Sequence, residues 1–146
     1  MMPPNKPWDS YRKVATQTAT PGQLVLMLYD GAIGFLEKAL AGFGYEDPQL
    51  FNQTINNNIV RAQAIIHEMN ASLNMQAGGE IASNFRRLYN YLYRRLSNAN
   101  RAKEKAAVEE SISHLRVLRD GWAEMLRQGG EAGRAASQRD LEAAVA

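Results

Sequence analysis

The residues with chemistry to offer are few, and their spacing does not suit it. The two histidines, His67 and His114, are isolated from each other. Glu110 precedes His114 by four residues instead of three, so the chain lacks the Glu-x-x-His pairs that hold a di-iron centre in a helical bundle. Without cysteine there is neither a disulfide nor a thiolate metal site. Gly78 and Gly79 are not followed by the spacing or the lysine of a phosphate loop. No serine sits in a nucleophile elbow. The expectation is a protein that is not an enzyme and that takes no metal or cofactor.

A second cluster is Arg86, Arg87, Arg94, Arg95, Arg101, Lys103 and Lys105, set near Tyr89, Tyr91 and Tyr93. Basic and aromatic side chains together raise nucleic acid as a ligand. Yet the arginines come in pairs one or two turns apart, the usual arrangement of a solvated helix face. A net charge of +2 over 146 residues is far below the concentrated charge that phosphate binding demands. The reading is therefore no nucleic acid, with an acidic protein surface as the other use of such a strip.

The elements that position these residues are helices. Hydrophobic residues make up 45% of the chain, β-branched residues are thin, and strict alternation is absent. Thr20-Pro21 and Asp47-Pro48 are helix starts, each a capping oxygen followed by a residue with φ already set. The first long helix is expected over 21 to 43, with Gly44 as its left-handed stop. The second runs over 48 to 74, the third over 80 to 100 after the break at 76 to 79, and the fourth over 103 to 127. Each is roughly 30–40 Å long and each connection is short, which implies antiparallel neighbours. Spacings of four and three recur in Ile55, Ile59, Ala62, Ile66, Met69 and Leu73, and again in Ile81, Phe85, Leu88, Leu92, Leu96 and Ala99.

The fold class expected is thus all-α: an antiparallel up-down four-helix bundle over 21–128. A short N-terminal helical arm precedes it over 1–20, and a flexible C-terminal tail follows over 129–146. The longest apolar run covers only 24 to 29, too short for a membrane span, and the N-terminus carries no secretory signal pattern. The location expected is the cytoplasm, without membrane insertion.

The first helix is more apolar than one core stripe requires. Beyond Leu24, Leu28, Ala32, Phe35 and Ala39 it places Leu26, Tyr29, Ile33, Leu36 and Leu40 on a second face. Either its own neighbours bury it on two sides, or it forms part of a groove that receives an amphipathic segment of a partner. Tyr11, Val14 and Thr18 in the arm have a spacing suited to covering such a groove as a plug.

The segments LYDGAI at 28 to 33, GGEIA at 78 to 82, RLSNAN at 95 to 100 and LRDGW at 118 to 122 occur in this order. With them the chain, over about residues 10 to 126, resembles the flagellar secretion chaperone FliS family. Phe85 stands where leucine is common, and Asn90 where an aspartate often follows the tyrosine. The resemblance implies a cytosolic export chaperone. Such a protein captures the disordered C-terminal segment of flagellin, prevents premature polymerisation, and brings the subunit to the cytoplasmic domain of the flagellar type III export gate. A disordered client must offset its ordering entropy, so it needs a long apolar track with many modest contacts. The positions expected to supply apolar contacts are Leu26, Tyr29, Ile33, Ile59, Ala62, Ile65, Ile66 and Leu73, with Asn74, Tyr89, Tyr93 and Asn100 at the rim. The sequence leaves monomer and homodimer open. The alternative function is a helical adaptor or regulator with another protein client, followed by a nucleic-acid-binding bundle.

Overall fold

In the computed structural model the described residues are 19–129 and 143–144. Four helices account for nearly all of them: α1 Pro21–Gly42, α2 Pro48–Ala71, α3 Met75–Ala102 and α4 Lys105–Arg127. The expected all-α bundle is what the chain forms. The arm residues Tyr11, Val14 and Thr18 lie outside the described residues.

Local chemistry fixes where the helices begin. The Thr20 hydroxyl accepts from the Gln23 amide while the Gln23 side chain accepts from the Thr20 amide, a reciprocal cap that satisfies two otherwise unpaired donors. The Asp47 carboxylate accepts from the Leu50 amide in the same manner at α2. Each such cap contributes about 1 kcal/mol.

Two boundaries differ from the sequence expectation. Gly44 is not a left-handed stop: α1 ends through Phe43 in right-handed geometry, and Gly79 is the described glycine with positive φ. The break expected at 76–79 is present, because the backbone leaves helical geometry at Gly79 between a short first turn and the long helix that follows. Asn74 caps a first turn at Met75, and the chain bends within α3 at Gly79 (φ 53°, ψ −127°) before continuing. The fourth helix begins at Lys105, because Lys103 itself takes the left-handed conformation (φ 54°, ψ 56°) that terminates α3.

Residue pairings run in opposite directions along two of the neighbouring pairs. Between α1 and α4, Gly22 pairs with Trp122, Asp30 with Arg119 and Glu37 with Arg116. Between α2 and α3, Asn56 meets Asn100, Gln63 meets Ser97, and Asn70 meets Asn90. The helices form a ring in which α1 packs on α2 and α4, and α3 closes the square against α2 and α4. The core runs through the middle, from Ala32, Leu36 and Ala39 through Ile55, Ile59 and Ile66 to Leu92, Leu96 and Leu115.

Candidate functional site

Of the twelve positions expected to meet a partner, eight have their side chains inside the chain's own core. Tyr29, Ile33, Ile59, Ala62, Ile65, Ile66, Leu73 and Tyr89 are all buried. The second face of α1 is therefore buried along Tyr29, Ile33 and Leu36. Leu26 and Asn100 are half-buried, and Asn74 and Tyr93 are exposed. The 4-3 spacing identifies side chains that point inward. It does not say which of them remain open after four helices have closed.

Burial along α3 supplies that missing information. Tyr89, Leu92, Leu96 and Ala99 are fully enclosed, whereas Ile81, Phe85 and Leu88, earlier on the same stripe, are only half-buried. The bundle is open there. Ile81, Asn84, Phe85, Leu88 and Leu118 line an apolar groove of about 270 Å³ between the first half of α3 and the last half of α4. A second depression of about 260 Å³ between α2 and α3 is lined by Ile66, His67, Asn70, Tyr89, Asn90, Tyr93 and Arg94, and it is polar at its rim. The consecutive residues Leu24 to Leu28 at the start of α1 are also half-buried.

The polar groups near these surfaces are engaged in holding the bundle. Asn70 accepts from Arg86 and donates to Asn90, which ties α2 to α3. Gln63 donates to the Tyr93 carbonyl and to the Ser97 hydroxyl. The buried Asn58 and Ser111 each donate to a carbonyl one turn back, so every buried polar side chain among the described residues has a partner. Trp122 donates its indole N–H to the Gly22 carbonyl at 2.6 Å, pinning the end of α4 to the start of α1. Nothing in the sequence announces this bond, which joins residues a hundred positions apart.

Several tyrosines are electrostatically unusual. The Tyr29 and Tyr89 hydroxyls are 2.7 Å apart in the core. Burial raises the Tyr29 phenol to about 12, and burial together with the neighbouring Tyr29 raises Tyr89 as well. Two residues further along α3, Tyr91 donates to the Glu110 carboxylate, which also pairs with Arg95 at 3.2 Å. The Tyr91 hydrogen bond is the main cause that holds Glu110 below the usual carboxylate range. His114 joins this surface cluster at 3.5 Å from Glu110 and edge-on to the Tyr91 ring. Arg86 and Arg95 are thus occupied by Asn70 of α2 and Glu110 of α4 instead of forming a free basic strip.

No group of three or more His, Asp or Glu side chains among the described residues is arranged to hold a metal ion. No helix among them is long and apolar enough to cross a membrane. Fold and site together define an all-helical bundle, open at one end along an apolar groove, whose polar side chains serve to position its helices.

Comparison with known proteins gives this class a family. Residues 4–129 match the model of the flagellar protein FliS. The chain is 32% identical over 121 residues to the flagellar secretion chaperone FliS of Bacillus subtilis, covering 83% of this chain and 86% of the relative. The FliS chaperones of Salmonella typhimurium and Escherichia coli are 32% and 33% identical, over 76% and 77% of this chain and 80% of each relative. The chain belongs to the FliS family. It is a flagellar export chaperone and not an enzyme.

Proposed function

We propose that this chaperone works in the cytosol on flagellin, binding the disordered C-terminal segment of the subunit, preventing its premature polymerisation and delivering it to the export apparatus. The observation that carries this reading is the apolar groove at Ile81, Phe85, Leu88 and Leu118, a strip of core-type side chains that is only half-buried among the described residues. A segment that folds as an amphipathic helix lays its apolar face into such a groove. The half-buried start of α1, with Leu26, offers a further apolar surface, and Asn74, Tyr93 and Asn100 supply exposed or half-exposed polar contacts. The buried positions proposed as contacts, such as Tyr29, Ile33 and Ile59, act in this reading by shaping the bundle beneath the track. They meet the client only if it opens the helices.

Calorimetry with a peptide spanning the last ~40 residues of the cognate flagellin tests the proposal. Coupled folding and burial of apolar surface appear as a large negative heat-capacity change. Heat of binding without that change, or no binding, contradicts it. The export gate's cytoplasmic domain is the second partner proposed, and its binding to the loaded and unloaded chaperone is read by the same method.

A further inference from the structure

The start of α3 carries a cap that its own turn cannot complete. Asn74 is the capping residue, and its side-chain oxygen accepts from the Ala77 amide at 2.9 Å while its carbonyl accepts from Gly78. At α1 the equivalent capping residue has its own amide satisfied by the Gln23 side chain. In α3 that third position is Ala77, which has no acceptor to offer. The Asn74 amide instead donates to the carbonyl of Ala144, at 2.8 Å.

Ala144 is fully buried, although it lies two residues from the end of the chain. Its seat exists because residue 78 is glycine: a Cβ there would stand 2.5 Å from the Ala144 Cα and 2.9 Å from its Cβ. Ala82, one turn on, is buried and forms the other wall. A missing side chain, a missing cap acceptor and a buried alanine coincide at one notch. Three independent features of α3 fit one occupant.

We infer that the notch formed by Asn74, Gly78 and Ala82 is a binding site for the chain's own C-terminal end, with Ala144 as the residue it recognises. The chemistry selected is a small side chain in the glycine notch together with a backbone carbonyl aimed at the Asn74 amide. Ala82 adjoins Phe85 on the same face of α3, so the seat borders the apolar groove. Resting on the proposed function, a client segment that extends along the groove towards Asn74 has to displace Ala144. The C-terminal end is then an internal competitor at one end of the track.

Amide hydrogen exchange on the full-length protein and its Ala144→Asp variant tests this. An aspartate cannot enter the notch without a clash against residue 78. The expected result is exchange at the Asn74 amide faster by at least about tenfold in the variant, with core amides such as Ile59 unchanged. Ala144→Ser, which is nearly isosteric and keeps the carbonyl, should leave Asn74 protected. Equal protection in wild type and Ala144→Asp overturns the internal docking. The flagellin C-terminal peptide should bind Ala144→Asp several-fold more tightly than wild type. Unchanged affinity alongside faster Asn74 exchange overturns the competition but not the docking. Absence of peptide binding by either protein removes the client reading and leaves the exchange result as the measure of docking.

Discussion

The hydroxyls of Tyr29 and Tyr89 meet at 2.7 Å across the diagonal of the bundle, joining two helices that otherwise touch little. Each phenol is the other's hydrogen-bond partner, and both side chains are buried. Replacing either alone by phenylalanine leaves a buried hydroxyl unpaired and should cost about 1–3 kcal/mol. The double variant Tyr29→Phe with Tyr89→Phe removes both polar groups and should be more stable than the sum of the two single losses predicts. Urea unfolding of the four proteins gives the coupling directly. Strict additivity would show that the pair contributes nothing as a pair.

The same pair sets a response to alkali. A phenol raised from 10.0 to about 12 in the folded state still holds its proton where the unfolded chain has lost it. The stability it represents is fully present below pH 10 and is lost as the pH rises through 10 towards 12. Tyr89 moves in the same direction. Per buried phenol the loss approaches about 1.4 kcal/mol for each pH unit in that window. The urea midpoint of the wild type should therefore fall more steeply than that of the double phenylalanine variant once the pH passes 10.

Two backbone positions near the ends of α3 predict changes of opposite sign. Lys103 adopts a left-handed conformation at φ 54°, which costs a residue with a Cβ about 1 kcal/mol. Lys103→Gly should raise stability by a comparable amount, less whatever the partly buried bond from Lys103 to Asn100 contributes. Gly79 stands at φ 53° and ψ −127°, a region that only glycine enters freely. Gly79→Ala should lower the melting temperature even though an added Cβ there would touch nothing. If both substitutions shift stability the same way, the backbone account of this helix is wrong.

The contrast between these two positions also shows what the sequence could and could not disclose. The starts of α1 and α2 were legible because Thr20-Pro21 and Asp47-Pro48 act within one turn. The core stripes were legible because helical spacing of apolar residues survives any detail of packing. The stop at Lys103 was not, since no left-handed preference marks a lysine. The open groove was not either: Phe85 and Leu92 occupy equivalent places on one stripe, and only the fit of α3 against α4 leaves the first half-exposed and the second enclosed. The seat of Ala144 joins residues about seventy positions apart and leaves no periodic trace.

That distinction between enclosed and open positions gives the sharpest functional prediction. Leu88→Asp places a charge in the half-open groove, where water reaches it, so the variant should keep a single cooperative unfolding transition. It should nonetheless weaken binding of the flagellin C-terminal peptide by about tenfold or more, because a desolvated carboxylate would face the client's apolar side. Ile59→Asp puts the same charge at a site with no exposure and should unfold the bundle, so its loss of binding would carry no information about the track. Ile33, only 7% exposed, shares that difficulty. Val117→Asp, at a position 73% exposed on the outer side of α4, serves as the control and should change neither property. Undiminished peptide affinity in a folded Leu88→Asp variant would move the client off this groove, leaving the start of α1 and the polar depression between α2 and α3 as the surfaces to test next.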